Sequence, residues 1–245
     1  YFSEYAKNDR LKNITNFTGS AGLAVVLKKH NYLFVDGRYT LQAQQQCAKN
    51  FTIVEIHKRL PHTIIKNYNL GYDPRLFTSK NIKKNFLNNN LISINENLVD
   101  HMFKFKEKKE KPFYSLSKQI VGETHQSKIK KIINFLKLNK ADYLFISAPE
   151  NVAWLLNIRG YDNPNSPIPN ARLIIKKNKQ LFLITNKNNT KKIIKENKIR
   201  KNQIIDINEL PNLINKQKGV KFIIDNKTCS IFYENIIKKK FKILD

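Results

Sequence analysis

Apolar and polar positions follow one another along this chain in short blocks whose period keeps changing. The sharpest block is Leu23-Ala24-Val25-Val26-Leu27, then the polar Lys28-Lys29-His30-Asn31, then Tyr32-Leu33-Phe34-Val35. Two apolar runs of strand length split by four polar residues predict a β-hairpin with a four-residue loop. Ahead of it, Gly19-Ser20-Ala21-Gly22 supplies small residues where the backbone can turn tightly or pass close to another segment. Behind it, Asp36-Gly37 turns the chain and delivers Arg38 just past the strand end. A helix is expected over 3–13, capped by Ser3 with Glu4 in its first turn. Further helices are expected over 37–48, over 61–67 opening on Pro61, and over 79–88. Strands are expected over 51–56, 69–72 and 91–94.

The second half repeats the theme. Residues 124–138 form the clearest amphipathic pattern, with Ile129, Ile132, Ile133 and Leu136 on one stripe. A strand over 142–147 and a helix over 149–156 follow. The single Trp154 lies on that helix and is expected in the core. Residues 170–175 and 180–185 pair as a hairpin across 176–179. Helices over 190–196, 209–215 and 229–237 alternate with strands over 204–207 and 220–224. Between the halves, Lys104 to Lys111 is a solvated charge run ending in Pro112, with no apolar periodicity. That run marks a domain boundary, giving domains 1–112 and 113–245. Both halves alternate helices and strands, so the fold class is α/β, with the look of a structural duplication.

At 245 residues and 41% hydrophobic, the chain is large enough for two real cores. No apolar run approaches the roughly 20 residues of a membrane span, so no membrane association is expected. Cys47 and Cys229 make no disulfide framework, and a reducing cytoplasm is the expected compartment. The chain opens on Tyr1 in what reads as the middle of an element, so an upstream piece is expected. The formal net charge is +26, the mark of a polyanion partner when it is clustered and rich in arginine. Here seven of the 45 basic residues are arginines and 38 are lysines, spread along the chain. Nucleic-acid binding is therefore kept only as the alternative, in the form of a stand-alone basic module for nucleic acid or another polyanion.

Candidate chemistry is sparse. His30, His57, His62, His101 and His125 show no H-E-x-x-H spacing, no cysteine pair has zinc spacing, and each histidine is expected to be solvated. Ser20 precedes a strand rather than joining a strand to a helix, so it is turn chemistry rather than a nucleophile. Arg38 has two readings. It can fasten the strand end by pairing with Asp36, or it can present a fixed, always-charged fork to a carboxylate or a peptide carbonyl. In Asn157-Ile158-Arg159-Gly160-Tyr161-Asp162, Arg159 and Asp162 are expected to pair across a turn at Gly160. That turn either satisfies itself or contacts another domain or protomer.

Several strings, taken in order, resemble aminopeptidase P, the Xaa-Pro aminopeptidase family. They are Ser3-Glu4-Tyr5, Asp9-Arg10, Phe17-Thr18-Gly19-Ser20-Ala21-Gly22, Val35-Asp36-Gly37-Arg38-Tyr39, Gly71-Tyr72-Asp73-Pro74-Arg75, Glu96-Asn97-Leu98-Val99-Asp100, Ala153 through Asp162, and Ser166-Pro167. The resemblance implies two successive creatinase N-terminal-like, ribonuclease H-like domains, each a mixed sheet flanked by helices. It implies a catalytic domain outside this chain, with two divalent metal ions, usually manganese, held by two Asp, one His and two Glu. No catalytic or metal-ligating residue is then expected here, and the fragment alone is expected to be inactive. The resemblance gives Arg38 a substrate-binding role and places Asp36, Arg159 and Asp162 near the substrate or a neighbouring domain. It implies substrate gating, peptide substrates with proline second, and a homodimer. Proline's missing N–H and locked φ make that bond poor for general peptidases, so a dedicated site is the physical response. Creatinase and prolidase, the other relatives, carry one such domain rather than two. Tyr161 and Asn163 depart from the family pattern, which has a small and an apolar residue there.

Overall fold

The computed structural model describes residues 9–103, 111–163 and 165–245, and the chain divides into two compact units, 1–108 and 109–245. The expected cap at Ser3, and nearly all of the charge run from Lys104 to Lys111, lie outside the described residues.

The first unit opens with helix α1 (Arg10–Thr15), capped by the Asp9 carboxylate, which accepts from Lys12 N. Strands β1 (Gly22–Val26) and β2 (Asn31–Val35) are the expected hairpin, antiparallel with Gly22 opposite Val35. Leu27 N closes its four-residue loop by donating to His30 O and to Asn31 Oδ1, each at 3.2 Å. Gly19 has a packing reason: a Cβ there would meet the Phe17 ring at 2.1 Å. The segment after β2 begins as a 3₁₀ turn (Gly37–Tyr39) before helix α2 (Thr40–Gln46), because the Asp36 side chain caps that turn by accepting from Arg38 N. Strand β3 (Phe51–Glu55) lies parallel to β2. Phe17, Leu33, Val35 and Ala43 form the buried cluster under this sheet.

Helix α3 (Pro61–Ile64), β4 (Asn69–Tyr72), α4 (Ser79–Phe86), β5 (Asn90–Ser93) and α5 (Leu98–Met102) follow, with β4 and β5 parallel. Arg10 grips Asp100 with two 2.7 Å bonds from Nε and Nη2, tying α1 to α5. Asp73 accepts from Arg75 N and from Asn97 Nδ2, at 2.9 and 3.0 Å. Residues quoted above from separate strings thus meet in space.

The second unit contains β6 (Tyr114–Ser115), α6 (Lys118–Val121), α7 (His125–Leu138), β7 (Tyr143–Ile146), α8 (Pro149–Leu156) and β8 (Ile158–Arg159). It continues with β9 (Arg172–Lys176), β10 (Leu181–Ile184), α9 (Lys191–Lys195), β11 (Ile204–Ile205), α10 (Leu210–Lys216), β12 (Lys221–Ile224), α11 (Ile231–Lys238) and β13 (Lys242–Leu244). Six strands form one mixed sheet in the order β11-β10-β9-β7-β12-β13, in which β9 alone runs against its neighbours β7 and β10. Side chains alternate along each strand, so every apolar strand feeds two cores. Leu173, Ile175, Leu181, Leu183 and Ile223 pack with Ile133 and Leu136 of α7 and with Val152 and Leu155 of α8. Tyr143, Phe145, Ile174, Phe182, Ile184, Phe222 and Ile224 pack on the other face with Leu210 and Ile214 of α10 and with Tyr233 and Ile237 of α11. The result is a three-layer sandwich with helices on both faces.

Trp154 corrects the expectation of a core position. It is 58% exposed, because Val152, Ala153, Leu155 and Leu156 already fill the buried side of α8.

Candidate functional site

The end of β2 is the place where charged groups gather in the first unit. Parallel pairing sets Val35 opposite Glu55, and Ile56 N donates to Val35 O at 2.9 Å. Two parallel strands end at the same side of a sheet, so the residues after them, Asp36 and His57, emerge together. Asp36 Oδ1 accepts from Arg38 N at 3.0 Å and from Arg38 Nε at 2.9 Å, and Oδ2 sits 3.3 Å from His57 Nε2. The Arg38 guanidinium beside it holds the Asp36 carboxyl well below the usual carboxylate range. The Arg38 side chain is 75% exposed, and its carbon Cζ lies 5.6 Å from the centroid of the Tyr39 ring. Tyr39 is held in turn by Ser20, hydroxyl to hydroxyl at 2.6 Å, and by the edge of Phe17.

The pairing of Arg38 with Asp36 is observed directly. Nε fastens the strand end, while the two terminal nitrogens make no hydrogen bond among the described residues. A guanidinium held at Nε still offers its outer fork to an incoming oxygen. Beside it, Lys58 reaches Glu55 at 2.9 Å and holds that carboxyl below its ordinary value.

Arg159 and Asp162 do not pair with each other as expected. Arg159 Nη1 donates to Ile158 O at 2.9 Å and to Ala153 O at 3.3 Å. Asp162 accepts from Asn170 N at 2.6 Å and from Asn189 Nδ2 at 3.4 Å. Carbonyls at the end of α8, and N–H donors of Asn170 and Asn189, take these side chains in place of an exposed ion pair. Gly160 is the fixed point of the loop, because a Cβ there would meet Pro169 Cα at 2.7 Å.

Two features escaped the sequence. Lys128 is buried and donates to Trp154 O and Asn157 Oδ1, each at 2.7 Å, with Nζ 4.0 Å from the centroid of the Trp154 ring. Burial pushes its pKa down. His125, expected to be solvated, is buried at the start of α7, and burial, with Lys198 and Lys128 nearby, pushes it below its ordinary value. Lys128 shares the inward stripe of α7 with Ile132 and Leu136, the one signal that was available.

Among the described residues, no three His, Cys, Asp or Glu side chains gather as a metal site. Asp36 and His57 share their space with Arg38, whose fixed charge opposes a cation at that point. No helix among the described residues is long and apolar enough to cross a membrane.

Two family models, each described as the creatinase/prolidase N-terminal domain, match residues 6–102 and 104–245. Xaa-Pro aminopeptidase 1 of Dictyostelium discoideum is 31% identical over 77% of this chain and 34% of its own length. Xaa-Pro aminopeptidase 2 of Rattus norvegicus is 33% identical over 68% of this chain and 27% of its own. The chain thus spans about a third of the length of the curated relatives it matches. Among solved structures, an X-prolyl aminopeptidase from Caenorhabditis elegans, described as a cytosolic enzyme with a di-nuclear active site, superposes with a TM-score of 0.82 at 22% identity, covering 99% of this chain and 43% of that one. The chain belongs to the creatinase/prolidase N-terminal domain family, with two such domains in succession and the N-terminal region of aminopeptidase P as its counterpart.

Proposed function

We propose that these 245 residues are the non-catalytic, N-terminal portion of a Xaa-Pro aminopeptidase, a hydrolase that removes an N-terminal residue preceding proline. In this reading the two domains gate access to a di-nuclear metal centre, manganese in our proposal, carried by a segment outside these residues. They also help build a cytoplasmic homodimer. One observation carries the proposal. Arg38 is fixed at a strand end through Nε while its outer fork faces solvent, the posture of a group that waits for an oxygen supplied from elsewhere. Asp36 and His57 position it, and Arg159 and Asp162 shape the loop nearest a neighbouring domain.

The test uses the full-length enzyme. Arg38→Lys keeps the charge but loses the planar fork, so KM for an X-Pro peptide rises by a larger factor than kcat falls. An unchanged KM would retire the substrate role. A second measurement, the 245-residue chain with Mn²⁺ and the same peptide, is expected to show no turnover. Enzyme-like hydrolysis there would overturn the division of labour.

A further inference from the structure

The second unit carries a groove of about 910 Å³ alongside α7. Its floor is apolar: Ile129 and Ile133 from α7, Leu181 from β10, Ile194 from α9, and Ile199. Its rim is cationic: Lys130, Lys137, Lys179, Lys198, Arg200 and Lys201. No Asp or Glu lines it among the described residues. None of the six rim cations takes part in an ion pair there, although lysines elsewhere in the same unit hold Glu123, Asp142, Glu209 and Glu234. Six unneutralised charges around an apolar trough repel one another, and a carboxylate-bearing ligand would relieve that repulsion.

We infer that this groove is a docking site for an acidic amphipathic peptide segment, with apolar side chains seated on the isoleucine floor and flanking carboxylates on the lysine rim. The size suits a few turns of peptide, at the upper end of the roughly 300–1,000 Å³ range of ligand sites. The pattern is that of a helix laid in a groove, read by apolar anchors one turn apart. Two other polyanions fit less well. Single-stranded nucleic acid needs aromatic platforms for its bases, and no Phe, Tyr or Trp lines the groove. An anionic bilayer is a broad surface that meets exposed lysines but not a recessed floor.

The experiment is fluorescence anisotropy with the whole chain. The probe is a short fluorescein-labelled peptide with leucines at helical spacing between glutamates, set beside a scramble of identical composition. The periodic peptide is expected to bind at least about tenfold tighter than the scramble, and its affinity should fall with salt. The triple variant Lys130→Glu, Lys137→Glu, Arg200→Glu changes exposed side chains and is expected to weaken binding by about tenfold or more. A control triple at the exposed Lys28, Lys29 and Lys49, with the same change in net charge, should leave binding within about twofold. Equal binding of peptide and scramble, or equal loss in the two triples, would reduce the effect to general charge and overturn the proposal. Tighter binding of an oligothymidylate or of phosphatidylserine vesicles than of the periodic peptide would overturn it as well.

Discussion

In the second unit a six-stranded sheet is covered on both faces, with β6 and β8 as a small pair beside it, whereas the largest sheet among the described residues of the first unit has three strands. The strands show the difference. Leu181-Phe182-Leu183-Ile184 is buried at every position, while β4 alternates exposed with half-buried residues and β5 is exposed everywhere but at the half-buried Leu91. A strand buried on both faces must be a continuous apolar run, and it has no freedom to carry charge. In the first unit the polar groups gather past the strand ends: β2, buried at Leu33, Phe34 and Val35, is followed by Asp36 and Arg38, and β3 brings in His57. The second unit has the anatomy of a framework, and the first has the anatomy of a display.

That contrast can be broken by experiment. The largest effect is expected from Leu183→Ala. This side chain is fully buried on β10, next to the two-residue edge strand β11, and its loss should lower the stability of the second unit by about 2–5 kcal/mol. Trp154 is the chain's one tryptophan, so its fluorescence follows this unit. A denaturant titration should move the fluorescence transition and leave the amide NMR signals of the first unit in place. A joint shift would contradict two separate cores.

Acid should next separate two of the depressed carboxylates, Asp142 and Asp36. Burial raises the pKa of Asp142, but Lys177 Nζ at 2.5 Å and the N–H groups of Val220 and Lys221 outweigh it and bring the group down to about 2. Its folded value lies below its unfolded value of about 3.8, so its stabilisation is complete above about pH 4 and is lost as pH falls toward 2. The loss is about 2 kcal/mol. Asp142→Asn should remove that part of the acid dependence. Asp36, which is exposed beside Arg38, should contribute much less, and a protein whose acid profile ignores Asp142→Asn would refute the assignment.

The smallest effects compare two glycines. Gly160→Ala forces a Cβ against the Pro169 backbone and should cost at least about 1 kcal/mol, as overpacked positions do. Gly37→Ala meets nothing nearer than Glu55 Oε2 at 4.0 Å and should stay within about 0.5 kcal/mol. Thermal melts of the two variants decide this; equal shifts would mean that the display loop is as tightly packed as the framework loop.

The hairpin, α7 and the β9–β10 pair were legible because each is a local pattern of periodicity between turn residues. Pairing between distant segments was not. Nothing in the periodicity of β3 says that it lies parallel to β2, and that pairing is what brings His57 to Asp36. The short β6, β8 and β13 exist only because a partner strand is nearby, as when Tyr114 pairs with Arg159. Arg159 and Asp162 were misread because sequence proximity favoured an ion pair, while backbone and side-chain partners on either side of the loop hold each of them separately. Trp154 was misjudged on residue type alone; its neighbours on α8 already supplied enough apolar surface. The Arg38 posture was half legible, since Asp36-Gly37-Arg38 announced a turn but not which guanidinium nitrogen would be left outward.

The margins of the six-stranded sheet have a consequence for life at high concentration. The outermost strands are β11, two residues long, and β13, three residues long and begun by Lys242. A long apolar margin would offer open amide and carbonyl groups to a neighbour and seed fibrous stacking. Margins of two and three residues offer little of that template, and the charges of Asp206 after β11 and Lys242 at the start of β13 interrupt it further.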